Sequence, residues 1–163
     1  MLKNGGALNW YRVQNADGAL GWQAKKPDGF VVVPYVGGAD PFDSLGCGTV
    51  FQLAPDGTET ILHIFNSSDG AAPRGGVILD AKGNLYGTTT YGGDHNSGTV
   101  YKLTPSGGLW TETVLHSFNE FDKSDGAIPQ GSLLLRGGIL YGTTQLGGAN
   151  DQGTVFKLDP RIK

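Results

Sequence analysis

Over residues 111–118 the chain largely alternates polar and apolar positions, the period of a strand with one face against a core. Similar short apolar runs, bounded by Gly, Pro, Asn and Asp, recur along the chain. No segment keeps a 3.6-residue apolar period, so no helix is expected. Residues 75–118 show the unit. Residues 75–80 read as a strand and Ala81-Lys82-Gly83 as a turn. A second strand covers 84–90, and its Gly87 suggests close backbone approach to a neighbour. A loop follows, then a strand over 98–104, a turn at Pro105-Ser106-Gly107-Gly108, and the alternating strand 111–118. Four antiparallel strands with tight turns in about 50 residues is the size of one propeller blade.

The unit repeats. Leu85-Tyr86-Gly87-Thr88-Thr89 returns as Leu140-Tyr141-Gly142-Thr143-Thr144, 55 residues on. Gly98-Thr99-Val100-Tyr101-Lys102-Leu103 returns as Gly153-Thr154-Val155-Phe156-Lys157-Leu158 at the same step, and Gly48-Thr49-Val50-Phe51-Gln52-Leu53 is an upstream copy. A fixed period of this kind marks an array of one supersecondary unit. The expected fold is all-β: a β-propeller of three four-stranded blades in one domain spanning residues 1–163. Blade 1 is expected over about 19–65 (strands 19–25, 30–36, 48–53 and 58–65), blade 2 over about 75–118, and blade 3 over about 131–158 (strands 131–136, 139–145 and 153–158). Blade 3 lacks a fourth strand, while strand 7–13 is spare at the front. Three blades are too few for a ring, since about 4–8 is typical. A homodimer of six blades is therefore expected, each chain's strand 7–13 completing the last blade of the other. The rival fold is a monomeric three-fold β-trefoil or β-prism.

Composition agrees with strands and turns: 28 Gly, 8 Pro and 10% aromatic residues, with only 17% charged. The net charge of −3 and the lack of a basic run argue against nucleic-acid binding, which needs clustered Lys and Arg on phosphates. Cys47 stands alone, so no intrachain disulfide forms. Residues 1–6 have no apolar core of a signal peptide, and no run of about 18 apolar residues offers a membrane span.

Several phrases together resemble a known family. They are Leu62-His63-Ile64-Phe65, Asp69-Gly70-Ala71-Ala72-Pro73, Gly83-Asn84-Leu85-Tyr86-Gly87-Thr88-Thr89 and Gly98-Thr99-Val100-Tyr101-Lys102-Leu103, with second copies Leu115-His116-Ser117-Phe118 and Asp125-Gly126-Ala127-Ile128-Pro129. Over about residues 45–160 the chain resembles the bacterial GloVer (Gloeo-Verruco) tandem repeat. The resemblance implies a propeller-like fold and a surface or secreted setting, and it carries no chemistry to transfer. The Gly-Asn-Leu-Tyr strand is also similar to blades of gluconolactonase and paraoxonase type, which implies axial Ca²⁺ and lactone or ester hydrolysis. Leu8-Asn9-Trp10-Tyr11-Arg12 with Asp17-Gly18 and Trp22 resembles a tachylectin-type propeller, which implies amino-sugar binding.

In a propeller, the blade-to-blade loops (14–18, 66–74, 119–130) and the loops between second and third strands (37–47, 91–97, 146–152) share one face. That face collects Asp17, Asp69, Asp125, Asp40, Asp43, Asp94, Asp151, His95, Asn96 and Asn150. Asp17, Asp69 and Asp125 are the candidate ligands for Ca²⁺, which takes six to eight oxygens. The competing reading is structural, since Asp-Gly is a common turn. His63 and His116 occupy one place in two blades, which argues for a structural hydrogen bond to the neighbouring blade. His95 is not repeated and stands beside Asp94, making these two the candidate catalytic pair. Tyr91, Asn96, Asn150 and Asp151 are candidate ligand contacts. No Gly-x-Ser-x-Gly elbow, zinc pattern or phosphate loop occurs. The first functional expectation is a ligand-binding or interaction propeller with an acidic loop face. The alternatives are a Ca²⁺-dependent lactone or ester hydrolase and a sugar-binding, lectin-like propeller.

Overall fold

A computed structural model describes residues 9–14, 20–25, 30–33, 47–53 and 58–162. Every regular element among them is a β-strand, as the alternation and the turn residues require. Strands β1 (Asn9–Gln14) and β2 (Leu20–Lys25) pair antiparallel as a two-stranded sheet. Strands β3 (Phe30–Val33), β4 (Thr49–Leu53) and β5 (Glu59–Ile64) form a three-stranded sheet in that order. A four-stranded meander follows, built from β6 (Ile78–Leu79), β7 (Leu85–Thr89), β8 (Thr99–Ser106) and β9 (Leu109–Ser117). Short strands β10 (Gly126–Ala127) and β13 (Leu146–Gly147) pair with each other. Between them in sequence, β11 (Leu134–Arg136) and β12 (Ile139–Thr143) join β14 (Val155–Leu158) in the order β11-β12-β14. All these pairings are antiparallel, and each sheet is open.

The strand expected over 7–13 forms as β1, and within one chain it pairs with β2 rather than β14. Strands expected over 75–80 and 131–136 shorten to β6 and β11. Their leading glycines serve another purpose: a Cβ on Gly75 would lie 2.6 Å from the carbonyl oxygen of Gly131, so main chain packs on main chain there. Gly76 N–H also donates to Ser132 Oγ at 2.9 Å. The turn expected at 105–108 contracts to Gly107-Gly108, with φ of 58° and 85°. Two positive φ values are what a two-residue hairpin of the right twist demands.

The meander is buried on both faces, and β7 is buried at every position. Because side chains alternate across a strand, Leu85, Tyr101 and Leu103 face one way with Val50, Leu62, Phe65 and Val77. Tyr86 and Val100 face the other way with Phe118, Leu133 and Leu140. Three sheets therefore stack through two apolar layers, and each large side chain so buried stabilises the stack by roughly 1.5–3 kcal/mol. Gly87 sits across from Tyr101, and Gly142 across from Phe156. A Cβ on either glycine would overlap the facing ring, which explains the glycine in both Leu-Tyr-Gly-Thr phrases.

Candidate functional site

The two Asp-Gly-Ala-x-Pro phrases join successive sheets. Ala72 N–H donates to the Cys47 carbonyl (2.8 Å), and the Ala72 carbonyl accepts from Thr90 N–H (3.0 Å). Ile128 repeats this with Ser97 (2.9 Å) and Gln145 (3.1 Å). The first phrase thereby bonds the entry to β4 to the exit of β7, and the second bonds the entry to β8 to the exit of β12. Ala72 and Ile128 hold φ of 53° and 59°, which a branched residue such as Ile rarely adopts.

The aspartates of these phrases are partnered. His63 Nε2 lies 3.1 Å from Asp69 Oδ2, and His116 Nε2 lies 3.1 and 3.0 Å from the two Asp125 oxygens. A carboxylate oxygen accepts, so each imidazole Nε2–H donates. The same carboxylates accept from the main chain, Asp69 from Asn66 N–H and Asp125 from Asn119 N–H, each at 3.0 Å. Each imidazole meets the next phenylalanine edge-on, with centroids 4.7 Å apart for His63–Phe65 and for His116–Phe118. Phe65 then packs on Tyr101, and Phe118 on Phe156. The repeated histidines thus bond the aspartate of their own loop, and it is the phenylalanine that reaches the next sheet.

The structure brings the two loop sets together, through the Ala71–Tyr91 bridge and the Gly126–Gly147 pair. Half-buried Tyr91 takes part through its main chain. Asn96 and Asp151 occupy equivalent places, with φ of 55° and 54°, and their Oδ1 atoms accept from Gly92 and Gly147 N–H at 2.9 Å. Asp94 and His95 are exposed; Asp94 N–H donates to Ser117 Oγ, and the His95 carbonyl accepts from Ser97 Oγ. Asn150 is exposed in the turn before Asp151. Asp17, Asp40 and Asp43 lie outside the described residues. Among the described residues, no three His, Cys, Asp or Glu side chains gather as a metal ion would require. The Asp69 and Asp125 oxygens that Ca²⁺ would use accept hydrogen bonds from histidine and main chain, in two separate loops.

One residue of this region escapes sequence reasoning. Glu112 on β9 pairs with Leu103 and faces the first apolar layer, where β9 lies against β5. Its Oε1 is buried without a hydrogen-bond partner, and so is the Tyr101 hydroxyl. Burial, followed by the charge of Asp69, pushes the Glu112 carboxyl up to about 7. Tyr101 is raised too, by burial and then by Glu112. The outer strand of one sheet therefore carries a carboxyl toward the His63–Asp69 pair of the sheet before it. The signal was present: Thr-Glu-Thr precedes the Leu-His pair both at 58–60 and at 111–113.

The next pair, His116–Asp125, has no such strand over it among the described residues. β4 carries β5 and β8 carries β9, whereas among the described residues β14 carries nothing on its outer edge. Val155 on β14 is 83% exposed. A cleft of about 150 Å³ opens there, lined by His116, Phe118, Asp125, Phe156, Lys157 and Leu158.

No described helix is long and apolar enough to cross a membrane. No curated protein and no solved structure matches the chain, so the likenesses to gluconolactonase and tachylectin blades gain no support. A family model described as the Gloeobacter/Verrucomicrobia repeat matches residues 33–163. That match takes in most of the chain and every phrase that recurs in its sheets, and the chain belongs to the Gloeobacter/Verrucomicrobia repeat family.

Proposed function

We propose that this chain is a non-catalytic interaction module whose third sheet receives its outer strand from a second copy. Each of the three stacked sheets is then a propeller blade, and two chains make a six-bladed ring with the loop ends on one face. The observation that carries this reading is the outer edge of β14, bare among the described residues and beside an open cleft, where the two preceding sheets have an outer strand. Unpaired edges are sites of strand addition. β1 suits the role of donor: it belongs to a sheet of only two strands, which is marginal by itself in water, and its other edge has no partner among the described residues. The engagement of Asp69 and Asp125 by histidine and main chain favours interaction over metal-dependent hydrolysis.

Deletion of residues 1–14 tests this reading. The truncated chain is expected to lose self-association and to melt at a lower temperature, with a tendency to aggregate through β14. A truncation that keeps the oligomeric state and melting temperature of the full chain would overturn it.

A further inference from the structure

At the opposite end of the strands, a second cleft of about 380 Å³ lies between the middle and third sheets. That volume falls in the range of small-molecule sites. Its wall is organised by Asp80, at the turn between β6 and β7. Asp80 Oδ1 accepts from Lys82 N–H (2.8 Å) and Asn84 N–H (2.9 Å). Oδ2 accepts from Asn84 Nδ2 (2.7 Å) and from the Tyr86 hydroxyl (3.1 Å). Burial alone would raise the Asp80 pKa; the bonds from Asn84, Lys82 and Tyr86 outweigh it and hold the carboxyl below its usual range. Tyr86, pushed up to about 12 by burial and then by Asp80, keeps its proton and its bond. Four bonds occupy the carboxylate's acceptor sites, so Asp80 shapes the wall and presents no open acceptor to a ligand.

The cations of the cleft are differently placed. Lys82 projects from the turn, Lys102 from the middle of β8, and Arg161 from the segment after β14. Arg161 is held by Asp159 through Nε and Nη2, both at 2.7 Å, which orients the guanidinium and leaves Nη1 outside that pair. Neither Lys82 nor Lys102 makes a salt bridge with any described residue. Leu135 and Pro160 give the cleft an apolar side. Three cationic groups line the cleft, against one lining carboxylate, Asp80, whose acceptor sites are filled, in a chain whose net charge is −3. The three are far apart in sequence, so no basic run announces them.

We propose that this cleft binds a small molecule bearing an oxyanion group, a carboxylate or a phosphate. Lys102 and Lys82 meet the anion, and Arg161 Nη1 adds a third donor. Charged hydrogen bonds of this kind supply both affinity and orientation. The Leu135 side receives the uncharged part of the ligand. The site lies within one chain and does not depend on ring closure.

Titration calorimetry on the full chain at low salt, with D-glucuronate, citrate, inorganic phosphate and uncharged D-glucose as probes, tests the proposal. Saturable binding of at least one anionic probe is expected, with none of glucose. The glucuronate and citrate arms report a carboxylate, and the phosphate arm a phosphate. Lys102→Gln and Lys82→Gln should each weaken binding about tenfold or more, the size of one lost charged hydrogen bond. Lys82 is exposed, so its variant remains informative if Lys102→Gln folds poorly. Asp125→Asn, at the other end of the strands, should leave binding unchanged. Absence of saturable binding by every anionic probe, equal binding of glucose, or full binding by Lys82→Gln and Lys102→Gln would each overturn it.

Discussion

Replacing Glu112 with Gln should change how stability depends on pH. In the folded chain the Glu112 carboxyl is moved from an ordinary 4.5 up to about 7, first by burial and then by Asp69. Between those two values the folded state holds a proton that the unfolded state has released. Stability from this group is therefore full below about pH 4.5 and is lost as pH rises through about 7. At 1.36 kcal/mol per unit, the shift corresponds to about 3 kcal/mol. Glu112 is only half-buried, and solvent screening reduces this to about 1–2 kcal/mol. Gln keeps the shape and never ionises. Glu112→Gln should thus melt about 2–8 °C above the parent at pH 8, and close to it at pH 4.5. Thermal melts followed by circular dichroism at both pH values read the difference. A shift that is the same at pH 4.5 and pH 8 would refute the argument, because a packing effect alone carries no pH dependence.

Gly87→Ala should destabilise by about 1–3 kcal/mol in urea unfolding, since the new methyl overlaps the buried Tyr101 ring; pairing it with Tyr101→Leu should recover part of the loss. Asp125→Ala should cost about 1–3 kcal/mol by leaving His116 Nε2–H and Asn119 N–H without their acceptor, and Asp125→Asn less, because one amide oxygen still accepts. Ca²⁺ or a chelator should leave the melting temperature unchanged, because Asp69 and Asp125 already serve histidine and main chain; a rise with Ca²⁺ that Asp69→Asn abolishes would restore the metal reading.

Much of the fold is legible in the chain. The recurrent Gly-Thr-Val phrases lead into the starts of β4, β8 and β14, and glycines in the Leu-Tyr-Gly-Thr phrases mark the close approach of a ring. The alternation over 111–118 implies one face against a core and does not say what covers the other. The middle sheet has apolar layers on both faces, so Glu112 on its outer strand points toward the neighbouring sheet. The sequence offers Asp69 and Asp125 as Ca²⁺ ligands or as turn formers, but the histidines that bond them sit six and nine residues upstream on a strand, a separation that no local pattern reveals. Gly75-Gly76 looked like the start of a strand because glycine that admits another backbone is indistinguishable in sequence from glycine that begins a run. The cationic cleft draws on a turn, a strand and a terminal segment, and only the stacking of two sheets assembles it.

A second copy that completes the outer edge of β14 doubles the mass of the particle. The most direct measurement is the mass in solution by light scattering at micromolar concentration. A particle of about twice the 17.1 kDa chain is expected. A stable particle at the mass of a single chain would contradict it.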